Sequence, residues 1–97
     1  MASSIDEITI AYQEDDVLVV KELGKEVLSK GAWSTIVFKY QQWEAAKNAY
    51  GQERYTVRRY RKVGGDYKQQ SKFNISGRDQ ASKIITVLQK WVSEEPA

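Results

Sequence analysis

The sequence predicts one α+β domain, in which a curved antiparallel β-sheet of four or more strands is followed by a single C-terminal helix. Up to Ile75, several runs alternate apolar and polar side chains, as strands with one buried face do. The pair Gly64-Gly65 separates two of these runs. Beyond Ile75, apolar side chains recur every three or four residues, as in an amphipathic helix. Strands first and a helix last are typical of α+β domains.

The length of 97 residues fits a single domain spanning residues 1–97, whose ends, about 1–4 and 93–97, we expect to be loose. The hydrophobic content of 41% is ordinary for a folded chain. The longest clear apolar run is only four residues, Val17 to Val20. A membrane span needs about 20 apolar residues, and a signal peptide needs roughly 7–15. We therefore expect a cytoplasmic protein with no membrane segment.

The chain contains no cysteine and no histidine. This composition excludes disulfides, thiol nucleophiles, Cys/His zinc sites and Ser-His-Asp triads. A hydrolase with paired carboxylates remains open, but a binding protein without catalytic residues, cofactor or metal is the expectation. The acidic cluster Glu14-Asp15-Asp16 lacks the ligand spacing of a calcium loop, so we interpret it as a solvated turn.

The first half of the chain predicts three strands and a connection. Ile8, Ile10 and Tyr12 alternate with polar or small residues and indicate the first strand. Residues 17–23 indicate the second, with Gly24-Lys25 as a tight turn and residues 26–28 pairing back. Residues 33–43 give the strongest strand signal. Residues 44–50 are helix-prone, and we interpret them as a helical turn or a long loop.

Within the strand at residues 33–43, the alternation assigns side chains to two faces. Ile36, Phe38 and Tyr40 fall on one face, whereas Val37 and Lys39 fall on the other.

The two strand-like runs around Gly64-Gly65, Arg54–Val63 and Asp66–Ile75, predict a β-hairpin, because glycine adopts the positive φ of a tight turn without steric cost. A regular two-residue loop would place Arg61 opposite Lys68, Arg59 opposite Gln70 and Val57 opposite Lys72. One face would then be basic, and the other would hold Thr56, Tyr60, Tyr67 and Phe73, with Arg58 as an exception. A β-bulge would exchange the faces locally.

The C-terminal helix is predicted to start at the sequence Ser76-Gly77-Arg78-Asp79, which fits a capping box, and to end before Pro96. Its apolar stripe comprises Ala81, Ile84, Ile85, Leu88, Trp91 and Val92. The stripe is wide enough to cover a sheet face, to pack on a second copy, or both. We expect a homodimer whose interface includes Ile84, Leu88 and Trp91.

Charge is distributed unevenly along the chain. Residues 1–30 hold seven acids and three lysines, whereas residues 31–90 hold twelve Lys or Arg and four acids. Residues 54–72 alone hold seven bases and one acid. This local excess of positive charge suggests a polyanionic partner, although a solvated basic face is the common alternative.

A basic strand with interleaved aromatic residues suits single-stranded DNA or RNA, because cations neutralise phosphates while aromatic rings stack on bases. The candidate nucleic-acid-binding residues are Lys39, Tyr55, Arg59, Arg61, Lys68, Gln70 and Lys72, and Trp33 or Trp43 are further stacking candidates. The alternative is a protein-interaction or assembly module, whose basic strand docks an acidic partner or the acidic N-terminal segment of another copy.

Residues 68–91 (KQQSKFNISGRDQASKIITVLQKW) form a basic alternating strand that ends in Ile75-Ser76 and runs directly into a helix. This stretch resembles the single-stranded-DNA-binding fold of the transcriptional coactivator positive cofactor four and of the plant Whirly proteins. The resemblance implies a curved antiparallel sheet followed by a helix, dimerisation, and a role in transcription through single-stranded DNA. It places Lys68 and Lys72 in the basic strand before the helix.

Overall fold

The computed structural model describes residues 2–94, which form six strands, one long helix and two short 3-10 helices. The strands are β1 (Tyr12–Glu14), β2 (Val17–Ser29), β3 (Trp33–Glu44), β4 (Ala49–Tyr50), β5 (Arg54–Val63) and β6 (Asp66–Ile75). The helix α1 spans Arg78–Ser93, and the 3-10 helices span Ile5–Glu7 and Ala45–Lys47.

The strands form one curled antiparallel sheet in the order β1-β2-β3-β5-β6, and the two-residue β4 pairs with the end of β3. Strands β1 and β6 are therefore the edges of the sheet. The helix follows the last strand. This architecture confirms the predicted α+β class, a curved antiparallel sheet with a C-terminal helix.

The hairpin between β5 and β6 has the predicted bounds and the predicted turn. Gly64 and Gly65 have φ values of 59° and 89°, a left-handed conformation that residues with a Cβ adopt at a steric cost. The turn after β1 also matches the prediction, because Asp15 takes a φ of 54° there. The predicted helical turn after β3 is the 3-10 helix Ala45–Lys47.

The prediction for β2 was wrong in one respect. The strand continues through Gly24 as a single element, and Lys25 and Glu26 pair with β3 instead of folding back. A register shift between Glu22 and Gly24 absorbs the irregularity as a bulge in the strand. A glycine inside a strand commonly marks such a bulge, and the sequence alone does not separate a bulge from a turn.

The core lies between one face of the sheet, called here the inner face, and the N-terminal segment, residues 2–11. From the sheet, the most buried apolar side chains are Ile36 and Phe38, both fully shielded from solvent. Ile8 and Ile10 of the N-terminal segment pack on them, together with Tyr60. Ile8 and Ile10 precede β1 and pair with no strand, so the predicted first strand begins only at Tyr12.

Two polar side chains of β2 hold the N-terminal segment on the inner face. The Lys25 ammonium donates hydrogen bonds to the carbonyls of Ile5 (2.6 Å) and Ile8 (2.8 Å). The Glu22 carboxylate accepts a hydrogen bond from the Thr9 hydroxyl at 2.7 Å. Hydrogen bonds that involve a charged partner are the stronger ones, so the segment is fixed by polar anchors as well as by apolar burial.

The predicted capping box at Ser76 and Asp79 was wrong. Gly77 is the N-cap residue, and the helix begins at Arg78. The Gln80 side chain, at the third helical position, accepts hydrogen bonds from the Ser76 backbone N–H at 2.8 Å and from its hydroxyl at 3.1 Å. The side chain that bonds back to Ser76 is therefore that of Gln80, one residue after the Asp79 that the motif suggests. The predicted stop at Pro96 lies outside the described residues.

The helix does not cover the sheet. None of its residues is buried, and the apolar side chains of Ile85, Leu88, Trp91 and Val92 are 51–82% exposed. The described chain is correspondingly elongated, with extents of 54 × 38 × 17 Å and a radius of gyration of 15.7 Å. A compact domain of this size has a radius of gyration of about 13 Å. The wide apolar stripe predicted from sequence is present, but it faces solvent.

None of the helices described over residues 2–94 is long and apolar enough to cross a membrane.

Candidate functional site

The face of the sheet opposite the core, called here the outer face, carries a cluster of cations around a tryptophan. The register pairs Trp33 with Arg61, Thr35 with Arg59, and Arg61 in turn with Lys68. Residues directly opposite each other in adjacent strands lie on the same face. Trp33, Arg59, Arg61 and Lys68 therefore form one surface at the end of the β5–β6 hairpin, called here the outer patch.

Trp33 is the centre of the outer patch. The guanidinium carbon of Arg59 lies 4.7 Å from the centroid of the Trp33 ring, and that of Arg61 lies 5.5 Å from it. Both distances are within the range of cation–π attraction, which is strongest for tryptophan. The Trp33 side chain nevertheless remains 43% exposed. The patch thus combines an accessible aromatic surface with two guanidiniums held beside it.

Lys39 and Tyr55 lie on the same face but outside this cluster. They pair with each other, six residues along β3 from Trp33, which corresponds to about 20 Å of strand. Both are half-buried, and the apolar pair Val37 and Val57 separates them from the cations of the outer patch. The predicted site therefore has two parts, a dense group at the hairpin end and a lysine-tyrosine pair farther along.

The structure moves Lys72 and Gln70 out of the predicted cluster. A bulge between Arg59 and Tyr60 shifts the register, so that Arg59 faces Ser71 and Arg58 faces Lys72. Gln70 has no partner residue in β5; its side-chain amide donates to the Lys68 carbonyl at 3.1 Å. Lys72 therefore lies on the inner face, not beside Arg59, and the regular register expected from the loop length holds only as far as Tyr60 and Gln69.

The outer face also bears a second aromatic group at the opposite end of β3. The rings of Trp43 and Tyr50 meet edge to face with centroids 5.1 Å apart, and the Lys21 ammonium lies 5.2 Å from the Tyr50 centroid. The Tyr50 hydroxyl donates to the Leu18 carbonyl at 2.8 Å. Both rings are half-buried, and their contacts hold β4 on the sheet.

The inner face beside β6 is basic as well. Arg58, Lys62 and Lys72 all point to this face, where Arg58 donates to the Gln69 side chain at 2.9 Å. Burial raises the pKa of the neighbouring Tyr60 phenol, and the positive charge of Arg58 opposes this shift. Arg58, an exception in the predicted core face, is only half-buried at this position.

The predicted interface residues of α1 lie together. Ile84, Leu88 and Trp91 line one groove with Val87, Lys83 and Phe73, and its volume is about 400 Å³. Phe73 pairs with Val57, so the groove adjoins the apolar middle of the outer face. Exposed apolar surface of this kind is typical of an interaction site.

Two residues contribute more to the outer face than the sequence suggests. The regular register places Phe73 on the core face, and the bulge brings it instead to the groove beside α1. Trp33 is only a secondary stacking candidate from sequence, although the alternation along β3 already places it on the face of Lys39. In the acidic cluster, Asp15 and Asp16 form the expected turn, and Glu14 is the last residue of β1. Among residues 2–94, no group of three acidic side chains is arranged to hold a metal ion.

The chain matches no known family model, and neither a curated protein nor a solved structure is similar to it.

Proposed function

We propose that this protein is a non-catalytic single-stranded nucleic-acid-binding protein that uses the outer patch. The observation that supports the proposal is the half-exposed Trp33 ring with the Arg59 and Arg61 guanidiniums 4.7 and 5.5 Å from its centroid. A base stacked on Trp33 would bring its phosphates close to these cations. Lys68, directly opposite Arg61, extends the positive surface.

The preference for single strands follows from the aromatic component. Stacking on a side chain requires an unpaired base, whereas a duplex presents only its phosphates and base edges to the face of a sheet. Lys39 and Tyr55 would bind the strand farther along the same face. The chemistry serves DNA and RNA alike. The sequence resemblance favours a role in the regulation of transcription, and the short apolar runs of the sequence favour a cytoplasmic location.

The proposal is tested by reversing the two guanidinium charges. Arg59→Glu with Arg61→Glu is expected to abolish binding of a labelled thymine oligomer in fluorescence anisotropy, because both exposed side chains lie beside Trp33. The matched control is Lys47→Glu with Lys90→Glu, which changes the net charge equally at exposed positions away from the patch. Wild-type affinity in a folded Arg59/Arg61 variant would refute the site.

We further propose that the protein is a homodimer assembled through α1. The apolar groove is exposed, and Leu88 and Trp91 are 51% and 62% accessible to solvent. A second copy of the same helix would bury this surface on both chains at once, as two-fold interfaces do. Because Phe73 joins the groove to the outer face, such an interface would lie next to the nucleic-acid-binding surface.

A protein-interaction module is the second candidate function, and the same exposed helix supports it. In that case the groove binds a different protein, and the outer patch contacts an acidic segment. Tryptophan fluorescence distinguishes the two functions, because base stacking on Trp33 quenches its emission and an acidic peptide has no ring to stack on it. Binding of an acidic peptide without quenching, together with no quenching by an oligonucleotide, would favour the protein partner.

A further inference from the structure

We propose that the inner face beside β6 is a second phosphate-binding surface, so that a bound single strand passes around the β6 edge and contacts both faces of the sheet. The inference rests on the proposed nucleic-acid function and assigns it a second group of residues, Arg58, Lys62 and Lys72, called here the inner strip.

The bulge in β6 creates this surface. Without it, Lys72 would fall on the outer face; with it, Lys72 pairs with Arg58 on the inner face. Lys62 lies two inner-face positions from Arg58, next to Tyr67, with its ammonium 5.5 Å from the Tyr67 ring centroid. The four consecutive inner-face pairs, from Thr56–Asn74 to Lys62–Tyr67, contain three cations and no acid.

Arg58 has an unused hydrogen-bond donor. Its Nη1 donates to Gln69 at 2.9 Å, but within residues 2–94 its Nε is shielded from solvent and has no hydrogen-bond partner. A buried donor without a partner is unusual in a folded protein. Phosphate oxygens are the acceptors that a guanidinium fork fits best, through two parallel hydrogen bonds.

The acidic side chains that pack near the inner face are already engaged. Glu22 accepts hydrogen bonds from the Thr9 hydroxyl and the Ile10 N–H, and Glu7 accepts them from Ser3 and Ser4. These hydrogen bonds lower the pKa of Glu7. In the described part of the chain, neither carboxylate lies within ion-pair distance of Arg58, Lys62 or Lys72, which leaves these cations available to an external anion.

The position of β6 at the sheet edge connects the two basic surfaces. Lys68 points to the outer face and Lys72 to the inner face, four residues apart, or about 13 Å along the strand. Within residues 2–94, no strand beyond β6 separates them. A flexible single strand can turn around this edge, whereas duplex DNA, with a persistence length of about 150 base pairs, cannot.

The test measures how the affinity for a labelled thymine 20-mer depends on salt in the full-length protein. Lys62→Ala with Lys72→Ala is expected to weaken binding and to reduce the slope of log K against log salt, by about 0.7 for each phosphate that is no longer neutralised. Lys47→Ala with Lys90→Ala, which removes two exposed lysines elsewhere, is expected to leave the slope unchanged. Lys72→Gln provides a second, milder variant should the double variant unfold.

The outcomes separate this inference from the proposed function. Wild-type slopes in the folded Lys62/Lys72 and Lys72→Gln variants, with binding still abolished by Arg59→Glu and Arg61→Glu, would overturn the inner strip and leave the outer patch intact. Absence of binding by the wild-type protein at low salt would overturn both.

Discussion

A structural role and a binding role predict different degrees of burial for Trp33. A purely structural tryptophan would be largely buried, yet Trp33 is 43% exposed and lies beside two arginines. In the proposed complex, a base stacks on the exposed part of Trp33 and the adjoining phosphates contact the guanidiniums beside it. The ring and the cations form one unit, so a substitution at Trp33 should affect binding more than folding.

Trp33→Ala is therefore expected to weaken oligomer binding by about 5- to 150-fold, which corresponds to the ~1–3 kcal/mol measured for one stacked base. Trp33→Phe keeps an aromatic ring and should retain most of the affinity. It should also abolish the binding-induced change in tryptophan fluorescence, if Trp33 is the residue that stacks. Equal affinities for wild-type protein and the alanine variant in anisotropy titrations would exclude stacking at this residue.

Tyr60 is a core residue whose ionisation makes the stability of the fold depend on pH in the alkaline range. Burial raises the pKa of its phenol in the folded state, so the neutral form is favoured by folding. The folded state then holds the proton more tightly than the unfolded state, and stability falls as the pH rises through the folded-state pKa. Below the unfolded-state value of about 10, this contribution is fully present.

Tyr60→Phe removes the ionisable group and is expected to make the free energy of unfolding fall less steeply above about pH 10. Urea titrations of both proteins at neutral and alkaline pH measure the difference. Tyr12→Phe, at a position 54% exposed, is the control for the loss of a tyrosine hydroxyl. Parallel pH profiles for wild type and Tyr60→Phe would contradict the assignment.

At the scale of the elements, the features that depend on short stretches of sequence were predicted correctly. Gly64-Gly65 specified both the turn and the bounds of β5 and β6, because positive φ at two successive residues favours glycine strongly. The alternation in β3 identified Ile36, Phe38 and Tyr40 as its buried face. These features depend on neighbours in sequence, so the sequence contains enough information to predict them.

The bulge at Gln70 and the position of α1 depend on contacts between distant parts of the chain, and neither was predicted. The bulge brings Lys72 opposite Arg58 and Phe73 beside the helix, although the sequence around it, QQSK, carries no turn signal. From the apolar stripe of α1, we expected another surface to cover the helix. The stripe did not reveal that Ile8 and Ile10, rather than the helix, cover the inner face.

The N-terminal segment can be tested as the second layer of the core. Ile8→Ala is expected to cost about 2–5 kcal/mol in the free energy of unfolding, because the side chain is only 4% exposed and a cavity would remain. Leu28→Ala, at a side chain 64% exposed, should change stability by less than about 0.5 kcal/mol. Similar values for the two variants in denaturant titrations would mean that the segment does not pack as described.

At the scale of the whole molecule, the exposed helix is the feature that most favours an assembly. An elongated shape and an apolar groove of about 400 Å³ suit a chain that completes its packing against a second copy. Two copies would also carry two outer patches. Binding one strand at both patches would raise the local concentration of the second site and so increase affinity without new contacts.

Leu88→Glu is expected to convert a dimer into a monomer, because it places a charge in the apolar groove between Phe73 and Trp91. Sedimentation at micromolar concentration should give a species of twice the chain mass for the wild type and of one chain for the variant. Gln89→Glu, one residue away and outside the groove, is the control for added charge. A wild-type protein that sediments as a single chain would refute the dimer.

Whether the sheet binds single-stranded nucleic acid is measured by an anisotropy titration of a labelled thymine oligomer and of its duplex at low and moderate salt. The expected result is tighter binding of the single strand, with log K falling linearly as log salt rises. No binding of either oligomer at low salt would contradict the proposed function. The basic surfaces would then serve a protein partner or the assembly of the chain with itself.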